Sequence, residues 1–403
     1  MTKKEQILNW SVTNKIPGKI QAIFSAENET AGGDFRYILR EVKGKQVLVW
    51  EGIFPNFPVP DSLLKIEEQL QKDHLRQFKK QILQIIFRTC GDTATDTPRF
   101  GALIQCSLST SEQTRAYKTF LEFLQRSHPE ILCCHSVSTR PYFPFDTSNP
   151  PAAMQYTLHK GFGAEFLPLA NSGFYFHILD YLPKSKGTYL QLPDKLHEWL
   201  HPAKGDRLLA CHCGAALEAL SLTKNFADVN CLDVREWAKL SFEKNTSANK
   251  IVNAKFFRDK LDADWVKKFF AGEKNKGKWT IFLNPPQGEL LSQPLTQSIA
   301  ATAPERIVHI IGDLENAARE VKRWRSAGYI LRKILPVEWH PELKHLDLAM
   351  LFVPDRDGLL GRKPNAKPNA NSQQTKLQQG KSRQTTKAKP KEKKNYAPRF
   401  VQR

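Results

Sequence analysis

Residues 279–288, WTIFLNPPQG, carry the most pointed chemistry in the chain. The apolar run 279–283 reads as a buried strand that Asn284 and two prolines end at once, because Pro285 and Pro286 remove two backbone donors and fix two φ angles. The Asn284 side chain is thereby held at the carboxyl end of a strand, the edge at which open α/β sheets bind ligands. Three more strand ends, at Cys211, Asp233 and Gly312, would fall on the same edge. Together they offer an amide, a thiol and a carboxylate there, although an ordinary strand-ending turn would look the same at Asn284.

That edge requires a sheet to carry it. Residues 207–211, 228–233, 251–257, 279–283 and 306–311 are strand candidates, each followed by a helical pattern; 328–329 open another strand and 347–353 form a last one. Five βα units and two closing strands give a doubly wound α/β sheet. A connecting helix over 188–200 leads into it. The amino half reads differently. Residues 35–42 and 46–51 alternate around Lys43-Gly44-Lys45 as a hairpin, and a Pro-rich loop covers 55–60. A long amphipathic helix is expected from Asp61 through Ile66, Leu70, Leu75, Phe78, Ile82 and Ile85. Strands over 101–108 and 131–137 flank a helix over 111–127, and 155–167 adds further strands, so this half is α+β with antiparallel pairing. The first fifteen residues are expected to fray. The expected domains are 1–187, 188–356 with the connecting helix over 188–203, and a tail over 357–403.

A chain of 403 residues with 40% hydrophobic content can bury two cores. No apolar run reaches the roughly 20 residues of a membrane span, so a cytoplasmic protein without membrane contact is expected. The seven cysteines show no paired CxxC spacing, which indicates reduced, buried thiols and no metal site. From Gly361 onward thirteen Lys/Arg face the single acid Glu392, so the tail carries +12 of the +19 net charge and leaves the rest at +7. Nearly devoid of aliphatics, the tail is read as disordered and able to contact RNA by counterion release. Arg36, Tyr37, Arg40, Arg88, Arg140, Tyr142, Phe143 and Lys160 mix cations with aromatics, a combination that suits RNA, though on composition alone an ordinary surface is favoured.

The order of these pieces resembles the S-adenosylmethionine-dependent RNA (uracil-5-)methyltransferases, which make 5-methyluridine in tRNA and rRNA, over roughly residues 130–353. GFGAEFLPLANSGFYFH (161–177) is similar to the lead-in to that family's catalytic domain, and LLACHCGAALEAL (208–220) stands at its Asp-x-x-Cys-Gly-x-Gly cofactor loop. LNPPQG (283–288) stands at its Asp-Pro-Pro-Arg-x-Gly element. IIGDLENAARE (310–320) stands at its Ser-Cys-Asn-Pro element and trailing Ala-Arg-Asp. GYILRKILPVEWHPELKHLDLAMLF (328–352) matches the family's ending, with Arg319, Pro341 and His345 in register. An Asn-Pro-Pro-x element after a strand is also the form favoured by methyltransferases acting on exocyclic amines.

The resemblance implies a Rossmann-like, seven-stranded class I methyltransferase domain preceded by an α+β domain. It also implies a covalent mechanism in which a cysteine adds to uracil C6 and a glutamate assists loss of the C5 proton. The cysteine position is Gly312 and the base position Asp347; Asn284 and Gln287 replace the family's Asp and Arg. At the cofactor the implied residues are Tyr175, Gly214, Asp233 and Asn284. The leading acid has become Ala210, the second glycine Ala216 and the expected glutamine Tyr175, so only Asp233 retains its chemistry, that of an acceptor for ribose hydroxyls. Arg36, Arg140, Lys160, Gln287 and His345 are the expected RNA contacts. The expected protein is thus a monomeric RNA binder of this family with its uracil C5 chemistry lost at Gly312 and its S-adenosylmethionine loop weakened. It would need no metal or iron-sulfur cluster. The other reading is an active methyltransferase of exocyclic amines using Asn284-Pro285-Pro286.

Overall fold

The computed structural model describes residues 2–16, 19–24, 34–42, 45–51, 65, 81–90, 99–140, 155–169, 172–180, 186–272, 278–286, 288–338 and 346–358. Helix α1 (Lys3–Thr13) starts at Thr2, whose hydroxyl accepts from the Glu5 amide while the Glu5 carboxylate accepts from the Thr2 amide, a reciprocal cap. Ile7 and Trp10, one turn apart, are buried, so this segment packs where fraying was expected. Strand β1 (Lys19–Ile20) follows.

A six-stranded sheet comes next: β2 (Asp34–Val42), β3 (Lys45–Glu51), β4 (Ile82–Cys90), β5 (Arg99–Cys106), β6 (Ile131–Arg140) and β7 (Gln155–Phe162), ordered β3-β2-β4-β5-β6-β7. The hairpin of β2 and β3 is as expected. Ile82 and Ile85 correct the helix expectation: they lie in β4, whose run ILQIIF is buried on both faces and so carries no single helical stripe. Of residues 61–80 only Lys65 is described. Antiparallel pairing holds except between β5 and β6, which run parallel because helix α2 (Ser111–Ser127) carries the chain back over the sheet. Thr110 and Gln113 cap α2 reciprocally. Its buried Tyr117, Phe120 and Leu124 cover the outer face of the sheet, packing on Ile85, Phe87, Phe100 and Ile104.

The carboxy half opens with a small hairpin, β8 (Phe166–Pro168) and β9 (Tyr175–His177), then helix α3 (Lys186–Leu200). Strands and helices then alternate: β10 (Arg207–Cys211), α4 (Leu217–Ser221), β11 (Asp228–Leu232), α5 (Glu236–Ala248), β12 (Ala254–Phe257), α6 (Ala263–Gly272), β13 (Trp279–Leu283), α7 (Gln293–Ala301), β14 (Arg306–Ile311) and α8 (Leu314–Ser326). The last strands are β15 (Tyr329–Val337) and β16 (Asp347–Pro354). Their sheet runs β1-β15-β16-β14-β13-β10-β11-β12, with β10 to β14 parallel and β16 antiparallel to both neighbours. The seven expected strands are present, and β1 adds an eighth by pairing parallel to β15, Lys19 opposite Lys333.

Parallel strands covered on both sides read as continuous apolar runs, and here the alternation divides them between two cores. Leu208, Ala210, Phe282, Val308 and Ile310 face the inner core, which they share with Ile86, Leu103, Cys133 and Val137 of the six-stranded sheet. Leu209, Cys211, Ile281, Leu283, Ile307 and Ile311 face an outer core with Trp10, Trp324 and Phe352. At the crossover into the carboxy half two glycines are obligatory. A Cβ on Gly161 would sit 2.1 Å from the Cys134 carbonyl oxygen, and one on Gly163, at φ +79°, 2.3 Å from that of Leu132. The expected tail lies almost wholly outside the described residues.

Candidate functional site

The β10–β13 register pairs Cys211 with Leu283, so His212 and Asn284 leave the sheet side by side, and the Asn284 amide closes the edge on the Cys211 carbonyl at 3.2 Å. Asn284 and Pro285 are half-buried and Pro286 is exposed. The Asn284 side chain makes no hydrogen bond among the described residues. Ile311 of β14 pairs with Leu348 of β16; one step further, Gly312 leaves β14 opposite Asp347, the first residue of β16, which is still paired with Val337 of β15. Asp313 then caps α8, accepting from the Asn316 amide at 2.6 Å. The structure therefore brings Asn284, Gly312 and Asp347 to one carboxyl edge. Gln287 and His345 lie outside the described residues.

The loop after β10 turns over through three left-handed residues, His212 at φ +55°, Gly214 at +52° and Ala216 at +60°. Only the glycine adopts that conformation without cost, and Ala216 is also fully buried. The loop is tied to β11 by the His212 amide on the Leu232 carbonyl at 2.9 Å and by the Gly214 amide on Asp233 Oδ2 at 3.0 Å. Asp233 is 3% exposed and already engaged. Arg235 Nε donates to its Oδ1 at 2.8 Å, Arg235 Nη2 to its Oδ2 at 2.6 Å, and the Arg235 amide to Oδ1 at 3.0 Å. Burial alone would raise the Asp233 carboxyl, but this fork and the two amides outweigh it and hold the group below its usual range. Burial likewise opposes the charge on Arg235, and Asp233 more than restores it.

Next to this pair lies a buried polar chain that sequence spacing did not reveal. Asp180 is fully buried; its Oδ2 accepts from the His177 amide at 3.0 Å and from the Ser241 hydroxyl, while its Oδ1 has no hydrogen-bond partner among the described residues. Burial pushes its carboxyl up to about 7, against the pull of Ser241 and then of Arg235. His177 is driven down to about 4 by burial, reinforced by His135 and Arg88. Tyr175 is fixed through its backbone, which exchanges two hydrogen bonds with the Asn245 side chain at 2.7 and 2.8 Å, while Lys244 Nζ stands 4.8 Å from the centre of its ring. Tyr175 thus braces β9 against α5 beside the expected cofactor position.

The expected RNA contacts do not gather on one surface. Register puts Val137 opposite Leu158 and Arg140 opposite Gln155, so Lys160 and Arg140, both exposed, project from opposite faces of the β6–β7 ribbon. Arg36 pairs with Ile86 and Glu51 in the middle of the sheet. Arg88, grouped in the sequence with surface cations, is fully buried: its Nη1 donates to the Ile178 carbonyl at 2.7 Å and its guanidinium lies 5.3 Å from the Phe176 ring centre. It ties the two halves of the chain together. All seven cysteines are buried, Cys211 at 0% and Cys213 at 5% exposed, and burial pushes both thiols well up. Among the described residues no group of His, Cys, Asp or Glu is arranged to hold a metal ion.

No protein-family model matches the chain. Its curated homologues are RNA methyltransferases. An uncharacterized RNA methyltransferase of Streptococcus pyogenes serotype M18 is 27% identical over 154 residues, 38% of this chain and 32% of that protein. The 23S rRNA (uracil(1939)-C(5))-methyltransferase RlmD of Pseudomonas fluorescens is 24% identical over 184 residues, 44% of this chain and 38% of that protein. The matched stretch thus spans about a third of these relatives' length. Among solved structures, the tRNA (uracil-54, C5)-methyltransferase of Pyrococcus abyssi in complex with S-adenosyl-L-homocysteine superposes with a TM-score of 0.58 at 15% identity, over 86% of this chain and 81% of that one. That likeness shows the fold: a Rossmann-like class I methyltransferase sheet.

Proposed function

We propose that this chain is an RNA-binding protein on the RNA (uracil-5-)methyltransferase fold that does not methylate uracil at C5. One observation carries the reading: the residue that leaves β14 beside Asp347 is Gly312. Methylation at uracil C5 needs a thiolate that adds to C6 and makes C5 nucleophilic. A glycine supplies none, and every cysteine of the chain is buried. Asp347 alone can accept a proton but cannot raise the electron density at C5.

RNA as the partner is supported by the net charge of +19, of which +7 remains outside the tail, and by exposed cations such as Arg140, Lys160 and Arg325. Arg140 and Lys160 on opposite faces favour contact with a large folded RNA, tRNA or rRNA, over a single narrow groove. A second reading rests on the side-chain amide of Asn284, unpartnered among the described residues, which could hold an exocyclic amine at the same edge without any thiol.

One experiment separates these. The full chain is incubated with bulk tRNA and rRNA and S-adenosylmethionine, binding is followed across a salt series, and the recovered nucleosides are analysed by mass spectrometry. Salt-dependent binding with no new methylated nucleoside is expected. New 5-methyluridine would overturn the proposal, an N-methylated nucleoside would establish the second reading, and absence of RNA binding would defeat both.

A further inference from the structure

Asp233, which leaves β11 beside that loop, is the one position that keeps the acid expected to accept from ribose hydroxyls, and its lone pairs are already used. Its two oxygens receive four donors: Nε, Nη2 and the amide of Arg235, and the amide of Gly214. A carboxylate offers about four acceptor sites, so none is left over. A ribose diol approaches such a carboxylate as a fork of two neutral hydroxyls. The guanidinium approaches as a fork of two charged N–H groups, and charge-assisted bonds are roughly twice as strong as neutral ones. The residues present therefore do not fit the adenosine end of S-adenosylmethionine while this pair is closed.

We propose that Arg235 occupies the place of a ribose diol at Asp233 and excludes adenosine-bearing ligands from the loop until the pair opens. The surroundings explain how it could open. Asp180 lies close enough for Arg235 to pull on its carboxyl, and its buried Oδ1 has no hydrogen-bond partner among the described residues. A guanidinium that leaves Asp233 thus has a second acceptor, and Asp233 is then free for hydroxyls. Arg235 also sits at the point where the chain enters α5, outside its hydrogen-bonded turns, so its side chain can swing without breaking the helix.

The inference deepens the proposed function, resting on its assignment of the fold, and it fails separately: adenosine binding reports on Arg235 with no RNA present, whereas the salt series reports on RNA binding. Titration calorimetry of the full chain with S-adenosylhomocysteine, adenosine and 2′,3′-dideoxyadenosine tests it on the wild type, Arg235→Gln and the double variant Asp233→Asn/Arg235→Gln. The wild type is expected to give no saturable heat, and Arg235→Gln to bind S-adenosylhomocysteine and adenosine at least tenfold more tightly than the wild type. That gain should vanish with the dideoxy probe and in the double variant. If Arg235→Gln is too unstable for calorimetry, its melting temperature should rise with adenosine while that of the wild type does not. Wild-type binding that Arg235→Gln leaves unimproved, or an Arg235→Gln chain indifferent to every probe, would overturn the proposal.

Discussion

Replacing Glu218 by Gln should change how the stability of this protein depends on pH, by an amount the structure allows one to work out. Glu218 is 3% exposed in α4, with the Tyr189 hydroxyl donating to its Oε2 at 3.1 Å. Burial pushes its carboxyl up from an ordinary 4.5 to about 7. A folded pKa above the unfolded one means that the folded chain keeps a proton the unfolded chain releases. Stability is then full below the unfolded value, falls as pH rises toward the folded one, and levels off above it. The window is about 2.5 pH units, and at about 1.4 kcal/mol per unit it amounts to roughly 3 kcal/mol. Gln keeps the shape and the acceptor for Tyr189 but has no proton to lose. The variant should therefore gain about 3 kcal/mol on the wild type between about pH 4 and about pH 8. Parallel urea denaturation of the two full chains across that range measures it. The difference matters more than either curve. Asp180 and Glu320, also pushed up to about 7 by burial, add to the wild-type slope, while His177, down at about 4, and His309, down at about 3, oppose it. Those groups are common to both chains and cancel. A difference that stays flat with pH would refute the assignment of a neutral, buried Glu218.

Trp324→Ala should cost about 3–5 kcal/mol in the same denaturation assay, because the indole is fully buried and its Nε1 donates to His309 Nδ1 at 3.2 Å; Trp324→Phe, which refills most of the volume but not that bond, should recover more than half of the loss. Iodoacetamide should modify none of the seven cysteines in the folded protein near neutral pH and all of them in urea, as read by intact mass, because each thiol is buried.

How much of this the sequence disclosed depends on where the deciding interaction lies. Strands β10, β13 and β14 were legible to the residue, because a strand buried on both faces is an uninterrupted apolar run and Asn284-Pro285-Pro286 marks its end unambiguously. Ile82 and Ile85 misled for the same reason: an apolar run following an amphipathic stretch also fits a helical period, and only the partner strands β2 and β5 decide the matter. Arg88 looked like a surface cation since nothing nearby in sequence announces the Ile178 carbonyl ninety positions on. Helix α1 is too polar to advertise burial, yet Ile7 and Trp10 suffice to dock it. At the candidate site the edge residues Asn284, Gly312 and Asp347 follow from strand order alone. Arg235 does not. That its side chain folds back onto Asp233 depends on the turn between β11 and α5, which spacing leaves open.

The pairing of β1 with β15 has a consequence for how the chain is made. Lys3 reaches Glu338, the Gln21 amide reaches the Ile334 carbonyl, and the Phe24 amide that of Pro336. A ribosome adding about 5–20 residues per second would need roughly 15–60 s to produce those partners after the first segment has emerged. During that interval Ile7, Trp10 and Ile20 have no sheet to cover. The edge of β15 that β1 later covers is itself born unpaired, so this seam stays open through most of synthesis and gives a chaperone a long opportunity to intervene.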